Sequence, residues 1–137
     1  MNKKKILIVS AKYYSDISTK METDAIDCLK SWKDFSTDQK SFLINVPGVF
    51  EIPVVISRNI ESYDGIIALG CVIKGETPHF EFISKSTTEA IMKLSIINKK
   101  PIGNGIITCL NKDQAIIRSK KKGIEAAKAV ISVLTSL

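Results

Sequence analysis

The sequence predicts a three-layer α/β/α sandwich around a four-stranded, mainly parallel sheet. Three observations predict it. Short, continuous apolar runs recur along the chain, segments of helical period separate them, and glycine, proline or capping residues mark the joints. The runs are continuous rather than alternating, as in strands covered on both faces. Right-handed βαβ crossovers then put helices on both sides of the sheet.

Ile6–Val9 predicts the first strand. Tyr13 and Tyr14 follow in a loop, and Asp16 is a candidate helix cap. Ile17, Met21, Ala25, Cys28, Leu29 and Trp32 then recur at helical spacing. Ser36–Lys40 reads as a polar turn and Phe42–Val46 as the second strand, ended by Pro47-Gly48. Pro53 suits the first turn of a short helix running to about Ile60. Tyr63-Asp64-Gly65 turns the chain into a third strand, Ile66–Leu69, which ends at Gly70-Cys71. Thr77 then caps a helix with Pro78 at its first position. Its inward face is Phe80, Ile83, Thr87, Ala90, Ile91, Leu94 and Ile97. That helix stops before Pro101, and Gly105–Cys109 is the fourth strand. Asn111 caps the last helical region with Gln114 at the capping-box position, and Gly123 kinks or divides it.

At 137 residues and 45% apolar, residues 1–137 are expected to form a single domain able to bury a core without staples. The three cysteines, Cys28, Cys71 and Cys109, form no CxxC or Cys/His cluster, so no metal site is expected. No signal peptide and no membrane span are read, and a cytoplasmic protein is expected. The net charge is +6, but only Arg58 and Arg118 among the 20 basic residues are arginine. Arginine's rigid fork is the better reader of bases and phosphates. The charge therefore reads as a solvated surface that attracts anionic substrates, with no nucleic acid and no membrane as partner.

Ligands in open parallel sheets bind beyond the carboxyl ends of the strands. Four segments are expected there: Lys12–Ser15, Pro47–Glu51, Cys71–His79 and Thr108–Asn111. Neither GxGxxG nor GxxxxGK[ST] occurs, which argues against a dinucleotide site and a P-loop. His79 is the sole histidine and stands at a helix start, where positive charge is disfavoured. It is either a general acid or base or a loop histidine without a role. The same helix start offers N–H groups to a phosphate, Gly75 permits close approach, and Thr77 and Lys74 can add a hydroxyl and a charge. Glu51 either orders a polar ligand or caps the helix of Pro53. Phe50, Tyr13 and Tyr14 can stack a flat heterocycle or simply pack. Arg118 is either a phosphate clamp or a solvated ion-pair partner, and an interface between subunits would bring it to the His79 loop.

Two long motifs carry a resemblance. They are Val46-Pro47-Gly48-Val49-Phe50-Glu51-Ile52-Pro53 and Leu69-Gly70-Cys71-Val72-Ile73-Lys74-Gly75-Glu76-Thr77-Pro78-His79. Asn104–Thr108, Asp113–Arg118 and Lys122–Ala127 follow in order. With them the chain resembles the 6,7-dimethyl-8-ribityllumazine synthase family over nearly its whole length. The resemblance implies a flavodoxin-like topology and a transferase of riboflavin biosynthesis. Such an enzyme joins 5-amino-6-(D-ribitylamino)uracil to L-3,4-dihydroxy-2-butanone 4-phosphate and releases phosphate and two waters. It implies no cofactor and no metal. It also implies a homo-oligomer with the pentamer as its minimum unit, active sites between neighbouring subunits, and association with riboflavin synthase.

Carried over residue by residue, the resemblance gives Tyr13 the stacking position on the pyrimidine. Val49, Phe50 and Glu51 line the pocket, with Glu51 holding ribityl hydroxyls. Cys71, Val72 and Ile73 contact the pyrimidine through backbone groups. Glu76 and Thr77 contact phosphate, and His79 transfers protons. Asn104 and Arg118 come from the neighbouring subunit, the first closing the pyrimidine pocket and the second clamping phosphate. Asn104 stands where phenylalanine is common. The Arg118–Gly123 segment is shorter than usual, and Lys120, Lys121 and Lys122 are the candidates for a family lysine in that loop.

Overall fold

The computed structural model describes residues 3–38, 42–75 and 79–136. Its strands are β1 (Ile6–Ala11), β2 (Leu43–Val46), β3 (Gly65–Ile73) and β4 (Ile102–Cys109). Its α-helices are α1 (Ser15–Lys30), α2 (Ile52–Asn59), α3 (His79–Asn98) and α4 (Lys112–Thr135). The strands lie in the order β2-β1-β3-β4, and every pairing is parallel.

All six residues of β1 are buried, and alternate side chains enter different cores. Ile6 and Ile8 join Ile67, Leu69, Cys71, Ile107 and Cys109 under α1 and α4. Leu7, Val9 and Ala11 join Ile66, Ala68, Ile52 and Ile56 on the opposite face. A period of two thus feeds two cores from one strand, which is why the run is apolar throughout. On α1, Ile17, Met21, Ala25 and Leu29 form the buried stripe. The helix stops at Lys30, and Trp32 packs against the core from beyond its end.

Several expectations are corrected. Asp16 does not cap α1; Tyr14 is the N-cap residue, without a side-chain bond, and Asp16 lies in the first helical turn. β3 does not end at Gly70-Cys71 but continues to Ile73. β4 begins three residues earlier, at Ile102. Ile97 is exposed rather than inward, while Thr87 and Ile91 are the buried residues of α3. Gly123 neither kinks nor divides α4, which runs unbroken to Thr135. A Cβ on Gly123 would lie 2.3 Å from the Met21 carbonyl oxygen, so this glycine is the point where α1 and α4 touch backbone to backbone. Asn111 does cap α4, its Oδ1 accepting the Gln114 N–H at 2.9 Å. The expected cap Thr77 and the first-turn Pro78 lie outside the described residues.

Candidate functional site

The three strand ends β1, β2 and β3 enclose a cleft of about 720 Å³. At the end of β1 the Lys12 N–H donates to the Val46 carbonyl at 2.8 Å, extending the ladder with β2 by one bond. The Lys12 ammonium turns back to the nearly buried Glu22, 2.8 Å from Oε2, and Asn45 Nδ2 donates to the same oxygen at 3.1 Å. The chain then presents Tyr13 and Tyr14 to the cleft.

β2 ends in Pro47-Gly48, and Val49–Glu51 form a single 3-10 turn leading into α2. Glu51 Oε1 accepts the Gly48 N–H at 3.0 Å, so the carboxylate closes its own turn. An ionised carboxylate offers about four acceptor sites on two oxygens, and one such bond leaves capacity for ligand hydroxyls. Val49 is buried while Phe50 is 67% exposed beside it. Gly70 makes this arrangement fit, because a Cβ there would lie 2.7 Å from Val49 Cγ2.

The longer course of β3 explains its part in the site. Its ladder with β1 stops at Ser10–Leu69, whereas its ladder with β4 runs on to Ile73–Cys109. Cys71, Val72 and Ile73 therefore overhang the end of β1, and the edge they turn toward it fronts the cleft. Unsatisfied strand-edge N–H and C=O groups are strong, directional partners for a heterocycle. Burial, and secondarily Cys109, pushes the Cys71 thiol up to about 12, so it is a neutral thiol at physiological pH and not a nucleophile. His79, at the start of α3, lines the same cleft with Gly75 and Ile83.

Eight of the residues that the resemblance assigns to the site thus meet in one place: Tyr13, Val49, Phe50, Glu51, Cys71, Val72, Ile73 and His79. Glu76 and Thr77 lie outside the described residues. Asn104 and Arg118 do not line the cleft. Asn104 is exposed on the edge strand β4, where its Oδ1 accepts the Ile106 N–H at 3.0 Å. Arg118 Nη1 donates to the Thr108 carbonyl at 2.8 Å and borders a separate cavity of about 610 Å³ with Lys120, Lys121 and Lys122. The fourth expected segment, Thr108–Asn111, contributes nothing to the cleft lining, because β4 lies on the far side of β3. Tyr14, Gly48, Gly75 and Ile83 complete that lining. Ile83 reads in sequence as a core position of α3, and nothing in its helical spacing separates the two roles.

Among the described residues, no three His, Cys, Asp or Glu side chains cluster in a way that could hold a metal, and no helix is long and apolar enough to cross a membrane.

Residues 3–137 match the family model for 6,7-dimethyl-8-ribityllumazine synthase. The chain is 39% identical over 141 residues to 6,7-dimethyl-8-ribityllumazine synthase 1 of Rhodopseudomonas palustris, covering 95% of this chain and 83% of that one. It is 40% identical to the 6,7-dimethyl-8-ribityllumazine synthase of Bartonella tribocorum, with 94% and 87% covered. To that of Agrobacterium fabrum it is 36% identical, with 98% and 95% covered. A match that spans the strands, the cleft and the β4–α4 edge together leaves one conclusion: this chain belongs to the 6,7-dimethyl-8-ribityllumazine synthase family.

Proposed function

We propose that the chain, acting as one domain, condenses 5-amino-6-(D-ribitylamino)uracil with L-3,4-dihydroxy-2-butanone 4-phosphate to give 6,7-dimethyl-8-ribityllumazine. The cleft takes the uracil. Tyr13 stacks on the pyrimidine, the overhanging backbone of Cys71–Ile73 reads its edge, and Glu51 accepts from ribityl hydroxyls while Val49 and Phe50 wall it. The amine attacks the ketone carbonyl and water leaves as the Schiff base forms. Phosphate is then eliminated, the four-carbon chain tautomerises, and ring closure expels the second water. His79 shuttles the protons these steps require. The rest is positioning, since two reactants held in register gain most of what the reaction needs. Glu76 and Thr77 hold the phosphate from the same chain, and Arg118 clamps it from a neighbour whose Asn104 also closes the pyrimidine side.

One observation carries this reading. The residues divide into a cleft group and a β4–α4 edge group that do not meet within one chain. Each is half of a site that two copies complete, with a homopentamer as the smallest ring. Tyr13 at 76% and Phe50 at 67% exposure suit walls that a second subunit finishes. The three free cysteines suit the cytoplasm, and association with riboflavin synthase would carry the product to its next step.

The test is a discontinuous assay with both substrates, product identified by mass and lumazine absorbance, against the spontaneous background. Enzyme-dependent product is expected. His79→Ala should lower kcat about 100-fold or more while leaving assembly intact. Arg118→Ala should raise KM for the butanone phosphate at least about tenfold and spare that for the uracil. Equal losses for both substrates would overturn the division of roles.

A further inference from the structure

Tyr13 stands on the loop between β1 and α1 and is 76% exposed. A ring that free has many orientations, and stacking needs one. Its neighbour supplies a support. The Tyr14 ring lies 4.9 Å from it, centroid to centroid, at 80° between planes, the edge-to-face geometry that the ring quadrupoles favour.

Tyr14 is anchored on two sides. It packs against the core beneath α1 and α4 while also lining the cleft. Burial raises its phenol above the ordinary range, with Tyr13 and Cys71 adding to the effect and Lys112 opposing it. The Lys112 ammonium sits 5.4 Å from the Tyr14 ring centroid. Lys112 opens α4, an unfavourable end for a cation, and Asp16 offsets this at 3.2 Å. Asp16 itself lies in the first turn of α1, where a carboxylate is favoured. The bond from Lys112 holds its carboxyl below the usual range. A continuous set of contacts thus runs from the two helix starts through Tyr14 to Tyr13.

We propose that Tyr14 is a positioning residue for the stacking wall, clamped by the Asp16–Lys112 pair, and that it sets the plane in which Tyr13 meets the heterocycle. This rests on the synthase reading of the cleft. Its effect falls on affinity for the flat ring and not on the proton transfers or the phosphate.

The experiment compares wild type, Tyr14→Leu, Tyr14→Phe and Lys112→Ala as assembled proteins. Steady-state kinetics are run with both substrates, and each protein is titrated with 6,7-dimethyl-8-ribityllumazine. Tyr14→Leu should raise KM for the uracil about three- to tenfold and weaken lumazine binding alike, with kcat and the other KM within about twofold. Tyr14→Phe restores the ring and should recover most of that loss. Lys112→Ala should shift the same quantities in the same direction by less. Equal rises in both KM values, a fall confined to kcat, or no change in Tyr14→Leu would overturn the proposal. If Tyr14→Leu does not fold, the exposed Lys112→Ala decides it, an unchanged uracil KM and lumazine affinity counting against it. A wild type that makes no product refutes the synthase reading, and the lumazine titrations across the same proteins then decide the role of Tyr14 on their own.

Discussion

At the scale of single residues, Cys71 shows how burial decides chemistry. Its neighbours Val72 and Ile73 line the cleft with it, and a thiol there invites a nucleophilic role. Burial instead holds the proton on, moving the thiol from 9.0 to about 12. The unfolded chain ionises near 9 while the folded one does not, so the contribution of Cys71 to stability is complete below pH 9 and is lost as pH rises from 9 toward 12. Urea unfolding of wild type and Cys71→Ala should therefore differ by about 1 kcal/mol less at pH 10 than at pH 8. The cavity left by the truncation is present at both pH values and cancels. A difference that stays constant would mean that the thiol ionises in place. The sequence shows Cys71 in a motif, but its protonation state depends on neighbours such as Cys109, one strand away, and these come only with the fold.

At the scale of elements, most of the architecture was legible because each strand writes its burial in its composition. The continuous runs at Ile6 and Ile66 have to be covered on both faces, and they are. What escaped was where elements end and which face of a helix is used. β3 passes straight through Gly70, a residue that reads as punctuation, because the fold needs a missing side chain beside Val49 rather than a break. Gly123 misleads in the same way. A glycine in a helix reads as a weak point, yet here it admits the Met21 backbone. Gly123→Ala, which on an open helix would stabilise, should destabilise the protein by about 1–3 kcal/mol, because the added methyl must push α1 and α4 apart. Thermal or urea unfolding checks the sign, and a stabilised variant would show that the two helices are not in backbone contact.

At the scale of the whole molecule, the residues alone made the candidate site legible in its parts, and its distribution between subunits came only from the resemblance. The spacing of Glu51, Cys71 and His79 points to strand ends, and all three line one cleft. Arg118 could not be placed from the sequence, since its distance from that cleft depends on which side of β3 the last strand adds. In the fold β4 adds on the far side, and Arg118 borders a separate cavity with Lys120, Lys121 and Lys122. If each complete site takes its cleft from one subunit and its edge from the next, two inactive variants can repair each other. In a ring assembled at random from equal parts of His79→Ala and Arg118→Ala, a site is intact when its cleft comes from the second and its edge from the first. That combination occurs at about one site in four. Co-assembled protein should then regain about a quarter of wild-type turnover at low butanone phosphate, whereas the two variants assembled apart and then combined should give only the mean of their separate rates. Co-assembly that yields no more than that mean would place Arg118 and His79 in the same chain's site and dissolve the argument for a shared one.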